Sequence, residues 1–306
     1  AQLGFAVDVH QRDDIAWVKY DPNSGEVVQD LDGEGNPRFV KPSDVEYGVK
    51  RTINPETASD YAYVLYIIKN AQSVNEGSEE LTLDDLGIAC DDEAGSCTFT
   101  LENPAPYFPS IASMWITMPV PQWAIDEHGP KWIEPGLVVS SGPYTMEKWI
   151  HGGELDLVKN PFWIDADNVQ IDRVEGEIIV EASTAFALYE NNELDTTPVP
   201  LPEIDRVKAD PVLSEEFYSA PTPCTYYYGF TNTKPPFDDV RVRQAFSQAI
   251  DRQSLIDNVT KGGQLPATSF APPGIFGAPE PGTVGLGYDA EAAQASLQAY
   301  LDANGL

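Results

Sequence analysis

The amino-acid sequence predicts a mixed α/β chain of more than one domain. Its 306 residues are twice the ~150 of an average domain, and 42% of them are hydrophobic, so a sizeable core can form. Alternating apolar and polar residues predict strands at 5–10, 142–149 and 154–159, and a further strand at 174–180 precedes a helix at 182–190. Strands and helices therefore alternate along the chain.

Two helices are predicted in the first third of the chain. Pro42-Ser43-Asp44 opens the first helix, because proline favours the first helical turn, and Asn54-Pro55 ends it. Residues 58–71 are predicted as the second helix. Both helices precede a segment rich in acidic residues, which leads into a hairpin.

A calcium loop is one interpretation of residues 30–36. This stretch has the oxygen spacing and the central glycine of such a loop, but Lys41 stands where the bidentate glutamate belongs. A solvent-exposed turn is the simpler interpretation. Calcium binding, as in a calcium-dependent adhesion or scaffold module, stays open as a third functional class.

Cys90 and Cys97 flank an acidic turn that leads into a strand at 98–101, so a hairpin can bring their sulfur atoms together. We predict a disulfide between them, which is typical of an exported chain. Two unrelated free thiols are the alternative. A zinc site is a less suitable interpretation of the two cysteines, because a C-x6-C pair lacks a second pair of ligands and the three histidines are scattered. Cys224 is left over, and no metal site is expected.

In the last third of the chain, the sequence predicts one strand and two helices. Residues 224–230 alternate as a strand, and Asp238-Asp239 caps a helix that continues to residue 259. Residues 291–303 predict a final helix, with Asn304-Gly305 as its left-handed stop.

The charge balance excludes whole classes of partner. Lys and Arg total 18 against 49 Asp and Glu, which gives a net charge of −31. Such a chain repels duplex DNA and anionic membranes, so no nucleic-acid partner is expected. The most apolar stretch, residues 61–68, is far shorter than the ~20 residues that cross a bilayer. The chain has no initiator Met, signal peptide or lipidation Cys, and we expect a fragment of a longer protein.

Catalytic signatures are not found in the sequence. It has neither a G-x-S-x-G nucleophile motif nor a phosphate-binding loop of glycines followed by Lys and Ser or Thr. We therefore predict no enzymatic activity and no cofactor. Because 49 acidic residues make chance pairs inevitable, a secreted glycosidase using paired carboxylates is the runner-up class.

Aromatic residues are the more informative set. They recur in three places: Tyr61, Tyr63 and Tyr66; Trp115 and Trp123; and Tyr226-Tyr227-Tyr228. Strand alternation turns Tyr227 to the face opposite its two neighbours. Core packing is the ordinary role of such residues. Tyrosine and tryptophan also combine apolar area with a polar group, which suits a pocket that accepts varied ligand side chains.

Short motifs follow one another in a recognisable order along nearly the whole chain. They are Pro42-Ser43-Asp44-Val45, Lys50-Arg51, residues 103–108, Pro119-Val120-Pro121, Gly129-Pro130-Lys131-Trp132, Ser141-Gly142-Pro143-Tyr144, Lys159-Asn160-Pro161-Phe162-Trp163, residues 235–245 and Ala249-Ile250-Asp251-Arg252. In number and order they resemble the extracellular solute-binding proteins of peptide-importing ABC transporters, the oligopeptide- and dipeptide-binding group called family 5.

The resemblance implies a two-lobed α/β fold of the periplasmic-binding-protein type with an extra domain, of which this chain is an incomplete fragment. Residues 1–121 correspond to the accessory α+β domain, 122–223 to part of the first lobe and 224–306 to the start of the second lobe. Family chains are considerably longer. The resemblance also implies that Cys224 pairs with a cysteine outside this chain.

The function implied is that of the substrate-binding component of an ABC importer. Such a protein closes around an oligopeptide in an interlobe cleft and delivers it to a membrane permease. It works in the periplasm or outside the cell, and it meets the membrane only through the permease or a lipid anchor absent from this chain. Other solutes carried on the same scaffold, namely sugars, opines and nickel chelates, are the alternative ligands.

Candidate ligand-binding residues follow from position within the family. Tyr61 and Tyr227 match residues that line the peptide cleft, and Met114 or Trp115 falls where another pocket residue lies. Tyr227 is therefore expected to face the cleft. Its neighbours on the predicted strand, Tyr226 and Tyr228, are expected to face the core.

Overall fold

Two units make up the chain in the computed structural model, which describes residues 5–10, 12–220 and 222–306. The units are Ala1–Ile178 and Ile179–Leu306. Over the described ranges, every strand belongs to the first unit, and the regular elements of the second unit are all helical. The three-part division at residues 121 and 223 stays a prediction.

Three small antiparallel sheets form the β structure of the first unit. The strands are β1 (Phe5–His10), β2 (Val18–Asp21), β3 (Glu26–Gln29), β4 (Ile88–Asp91), β5 (Ser96–Leu101), β6 (Tyr144–Ile150), β7 (Glu154–Lys159) and β8 (Arg173–Glu177). Their orders are β1-β5-β4, β2-β3 and β6-β7-β8. The hairpins predicted around the cysteines and between β6 and β7 are confirmed.

The α-helices of this unit are α1 (Pro42–Ile53), α2 (Ala71–Asn75), α3 (Phe108–Ile111) and α4 (Gln122–His128). Helix α1 has the predicted bounds. The Asp44 carboxylate accepts hydrogen bonds from the Lys41 backbone N–H at 2.9 Å and from Trp17 Nε1–H at 3.2 Å. A second carboxylate also reaches the start of α1, because Asp92 in the β4–β5 turn accepts from the backbone N–H and the hydroxyl of Ser43, both at 2.9 Å.

The helix predicted over residues 58–71 is wrong. The chain there forms short 3-10 turns at Pro55–Thr57 and Ala62–Leu65 before α2 begins. The cause lies in the backbone: Lys69 N–H donates to Thr100 O at 2.9 Å, and Ile67 O accepts from Glu102 N–H at 2.9 Å. The Ile67 carbonyl and the Lys69 N–H thus pair with the β5 segment and are not available for helical bonds.

The main core of the first unit lies between α1, the turns after it and the β4–β5 hairpin. Its largest fully buried side chains include Phe99, Phe108, Ile53, Leu65 and Ile68. The rings of Phe99 and Phe108 lie 5.1 Å apart, centre to centre. A smaller cluster of buried side chains contains Trp17, Val40, Ala124 and Val139.

The second unit consists of α5 (Ala182–Glu190), α6 (Ile204–Ala209), α7 (Leu213–Glu216), α8 (Val240–Ala249), α9 (Arg252–Leu255) and α10 (Ala290–Asn304), with a π-helical turn at Ile256–Thr260. Helix α10 ends at Gly305 with a left-handed φ of 68°, as predicted. Over the described part of the chain, no helix combines the length and the hydropathy needed to cross a membrane.

Two predictions for the second unit need correction. The helix expected from Asp239 to residue 259 is interrupted after Ala249, because the Asp251 side chain accepts from Ser254 N–H and starts α9. Residues 224–230 form no strand, since no neighbouring strand of the described residues supplies a hydrogen-bond ladder for them.

The predicted disulfide is present. Cys90 and Cys97 are directly opposite in the β4–β5 register and are bonded through their sulfur atoms. Cys224 is a free and exposed thiol.

The proposed calcium stretch has internal partners for its carboxylates. Asp30 is buried and forms ion pairs with Lys19 at 2.9 Å and Arg38 at 3.2 Å. Asp32 accepts from the backbone N–H groups of Glu34 and Asn36, both at 2.9 Å, and these bonds hold the pKa of Asp32 below its usual value. The exposed turn at Asp32 is therefore ordered by its own backbone.

Candidate ligand-binding site

Three exposed aromatic side chains of the first unit form what we call the aromatic cluster: Tyr61, Tyr63 and Trp115. The ring centres of Tyr61 and Trp115 are 5.1 Å apart in an edge-to-face arrangement, and those of Tyr61 and Tyr63 are 6.4 Å apart and stacked. The exposed fractions are 44% for Tyr61, 63% for Tyr63 and 61% for Trp115. Each ring thus makes an aromatic contact and still offers much of its surface to a ligand.

The two tyrosines are held by a short turn with buried anchors. Ala62 and Leu65 of the 3-10 turn are buried in the first unit, whereas Tyr61 and Tyr63 point outward. Backbone bonds from Val64 N–H to Tyr61 O at 3.1 Å and onward through the turn fix this alternation. Residues two positions apart are separated by about 160° around an α-helix and by about 120° around a 3-10 helix, so the tighter turn helps to bring Tyr61 beside Tyr63.

Trp115 lies at the start of a second 3-10 turn, Trp115–Thr117. The next two residues, Ile116 and Thr117, are buried, and the Thr117 hydroxyl lies 2.8 Å from Met114 O. Met114 itself is half-buried and packs against the main core. Of the two positions named as alternatives, Trp115 is therefore the one that the structure places beside Tyr61.

The remaining predicted residue, Tyr227, belongs to the second unit. It is 63% exposed, and its ring packs edge-to-face on Phe270 with 5.1 Å between the ring centres. The rings of Tyr226 and Tyr228 contact each other edge-to-face, with 5.7 Å between their centres. The expectation that both are buried in the core is wrong for this chain, because they are 86% and 76% exposed and lie in a segment with no regular secondary structure.

Sequence reasoning missed two residues of these groups. Tyr63 was noted only as a helical neighbour of Tyr61, and Phe270 was not singled out. Nothing in residues 61–66 separates Tyr63 from Tyr61 and Tyr66, because the order of large and small residues there carries no specific signal for a 3-10 turn. Phe270 had no local signal, since it lies in a Pro- and Gly-rich segment.

The stretch of sequence that carries the aromatic cluster has a strongly negative net charge. Between Arg51 and Lys131 the sequence contains thirteen Asp and Glu residues and a single lysine, Lys69, so the net charge of residues 52–130 is 1 − 13 = −12. A net charge of this sign attracts cationic groups and repels anionic ones. Among the residues that the structure describes, no group of three or more His, Cys, Asp or Glu side chains is arranged to hold a metal ion.

Comparison with known proteins assigns the chain to a family. Residues 35–301 match the family described as bacterial extracellular solute-binding proteins, family 5 Middle. The chain belongs to this family. The resemblance stated from the motifs is confirmed, and so is the α/β fold of the periplasmic-binding-protein type.

Three relatives show the extent of the similarity. The periplasmic oligopeptide-binding protein OppA of Escherichia coli (strain K12) is 34% identical over 250 residues, which are 80% of this chain and 45% of OppA. The probable deoxycholate-binding periplasmic protein YgiS of the same organism is 32% identical over 246 residues, 80% of this chain and 44% of YgiS. The structure of the E. coli murein tripeptide binding protein MppA superimposes with a TM-score of 0.81 at 27% identity, covering 98% of this chain and 55% of MppA.

This family 5 chain spans about half the length of the relatives it matches. Family 5 proteins are binding components of transporters rather than enzymes, and the prediction of no enzymatic activity is confirmed on that ground. Which residues bind the ligand is not decided by family membership.

Proposed function

We propose that this chain belongs to the substrate-binding component of an ABC importer and binds oligopeptides, which are then delivered to a membrane permease. The observation that carries the proposal is the 34% identity to an oligopeptide-binding protein over 80% of the chain. The Cys90–Cys97 disulfide supports a location in the periplasm or outside the cell, because such bonds persist in oxidising compartments.

The aromatic cluster supports the proposal on physical grounds. An extended peptide needs flat apolar surface for side chains of many kinds, while hydrogen bonds to its main chain supply affinity without sequence preference. Tyr61, Tyr63 and Trp115 offer rigid rings that lose little conformational entropy on contact. We propose them, together with Tyr227, as ligand-contacting residues.

A second candidate ligand is an amphipathic steroid acid. The 32% identity to a probable deoxycholate-binding protein favours it, and exposed aromatic rings also suit an apolar ring system. The negative charge of residues 52–130 disfavours it, because the carboxylate of such a ligand is repelled by an acidic surface. A peptide also carries a terminal carboxylate, but its α-ammonium group offsets that charge.

The proposal is tested by calorimetry. The purified full-length protein is titrated with a pool of tri- to pentapeptides, with deoxycholate, with glucose and with a nickel–histidine chelate. Peptide binding predicts heat and micromolar or better affinity for the pool, and none for the other three. Heat from deoxycholate alone would contradict it and favour the second candidate.

A matched pair of variants locates the contact. Tyr61→Ala weakens binding of the pool, and Tyr107→Ala leaves it unchanged. Tyr107 is 60% exposed, as the cluster rings are, and among the described residues it has no ring contact with them. Equal effects of the two substitutions would remove the aromatic cluster from the site.

A further inference from the structure

Helix α1 and the segment that follows Trp115 meet through three regularly spaced contacts. The contacts are Asp44 O with Val120 N–H at 3.0 Å, Gly48 with Met118 O, and the Thr52 hydroxyl with Ile116 O at 3.1 Å. All three residues of α1 lie four positions apart and therefore share one face of the helix.

The spacing of the contacts fixes a register between helix α1 and the segment 116–120. From one contact to the next, the residue number increases by four in α1 and decreases by two in the segment 116–120. Ile116 lies in the 3-10 turn Trp115–Thr117, and Met118 after it has an extended backbone, so the segment leaves the turn along α1 and contacts it at every second residue. A slip by one residue would replace the partners of α1 at all three contacts.

Gly48 makes the middle contact possible. A Cβ atom on this residue would lie 2.5 Å from Met118 O and 3.2 Å from Val120 Cγ2. Because the first of these atoms belongs to the backbone, it cannot move aside as a flexible side chain could. Glycine lowers the stability of a helix interior, so its presence at a buried position of α1 is explained by this close approach.

Thr52 makes the contact nearest to the aromatic cluster. Its hydroxyl lies 3.0 Å from Gly48 O and 3.1 Å from Ile116 O, and Ile116 directly follows Trp115. The end of the register is thus fixed one residue from the ring that packs on Tyr61.

We infer that α1 is a positioning element for the aromatic cluster, with Gly48 and Thr52 as the positioning residues for Trp115. This inference rests on the proposed function, in which Trp115 contacts the ligand. Neither residue touches that surface itself. Their effect is to hold the 115–120 segment in the register that places Trp115 beside Tyr61.

The test uses four variants of the protein and two measurements. Gly48→Ala and Thr52→Val disturb the register, whereas Thr52→Ser keeps the hydroxyl. Gly176→Ala is the matched control, because its Cβ would lie 3.0 Å from Leu155 O, a close approach to a backbone oxygen between β8 and β7. Trp115 emission is obtained by subtracting the spectrum of the same variant carrying Trp115→Phe. Affinity is measured by calorimetry with tetraalanine, at a temperature at which circular dichroism shows each variant folded.

Gly48→Ala and Thr52→Val are expected to shift Trp115 emission and to weaken tetraalanine binding about fivefold or more, the effect of losing one central contact. Thr52→Ser and Gly176→Ala are expected to leave both quantities at their parental values. Folded Gly48→Ala and Thr52→Val proteins with parental emission and parental affinity would overturn the inference. If Gly48→Ala does not fold, the emission and affinity of the Thr52→Val protein decide whether the inference holds.

A failure of the proposed function gives a different pattern. In that case tetraalanine does not bind the parent protein, while the emission of Trp115 still responds to Gly48→Ala and not to Gly176→Ala. The positioning role would then stand without the ligand.

Discussion

The two units of this chain bury their apolar residues to different degrees. Among the described residues, twenty-one buried hydrophobic side chains lie in the first unit and seven in the second. Both clusters of buried core residues belong to the first unit. The second unit instead exposes many large apolar side chains, including Tyr218, Tyr226, Phe270 and Phe276.

The contrast shows what makes an exposed aromatic residue informative. In the first unit, the exposed rings of Tyr61 and Trp115 stand beside buried neighbours that fix their backbone. In the second unit, exposure extends along whole segments without regular structure, so it does not distinguish one residue as a binding group. Tyr227 is therefore proposed on weaker structural grounds than Tyr61.

The largest expected difference between the units concerns stability. Phe108→Ala should lower the free energy of unfolding by about 3–5 kcal/mol, because the ring is fully buried against Phe99. Phe246→Ala in the second unit should cost about 1 kcal/mol, since that ring is 48% exposed. Urea unfolding followed by circular dichroism measures both. Equal losses would contradict the contrast in packing.

The disulfide should have the next largest effect. Replacing Cys90 and Cys97 by serine should lower the free energy of unfolding by about 2–3 kcal/mol, because the bond closes a short loop in the unfolded chain. Cys224→Ser should have almost no effect, as the thiol is free and exposed. Thiol titration of the denatured, unreduced protein should find one free thiol per chain, and a value of three would show that the hairpin bond is absent.

The third expected effect is on ligand affinity, which should distinguish Trp115 from Tyr226. Trp115→Ala should weaken peptide binding by about 1–2 kcal/mol with little change in melting temperature, because the exposed ring contributes surface rather than core packing. Tyr226→Ala should change neither quantity appreciably, since the side chain is 86% exposed. Calorimetry with tetraalanine and a thermal melt test both statements. A large loss of stability in Tyr226→Ala would show that the Tyr226 side chain is buried in the core, as strand alternation predicts.

The smallest expected effect is on the pH dependence of stability, and it concerns two carboxylates that each lie at the start of a helix. Burial raises the pKa of Asp44 at α1 above 3.8, whereas hydrogen bonds from Arg241 lower the pKa of Asp239 at α8 to about 2. The Asp44 contribution to stability is therefore full below pH 3.8 and decreases as the pH rises through the raised value. The Asp239 contribution is present above pH 3.8 and is lost as the pH falls toward 2.

These opposite dependences are measured by urea unfolding between pH 2 and pH 7. Asp44→Asn should remove a stabilisation that grows toward low pH, and Asp239→Asn should remove one that grows toward neutral pH. The difference curves of the two variants against the parent protein should then slope in opposite directions. Parallel slopes would refute the assignment of the two shifts.

Features set by neighbouring residues could be predicted from the sequence. The hairpin of Cys90 and Cys97, the Asp239 cap and the Gly305 stop were all predicted from local patterns and are confirmed. The helix over residues 58–71 was wrong, because partners in β5 take up backbone groups of residues 67–69, and a local pattern carries no information on such partners.

The candidate site was predictable only in part. Family position pointed to Tyr61, and to Met114 or Trp115, but the contact that joins Tyr61 to Trp115 spans distant parts of the chain. The role of Gly48 could not be predicted, since a glycine inside a helical pattern is explained only when the atom approaching it is known.

The bond from Ser43 to Asp92 has a consequence for the order of folding. Lys41, the residue before α1, has a side chain that cannot accept the free N–H groups of the first turn, and Asp92 accepts one of them from 49 positions away. Closing so long a loop costs entropy before any bond is gained. We therefore expect the start of α1 to remain frayed in the nascent chain until the hairpin has formed, so that oxidation of the cysteines accelerates completion of the helix.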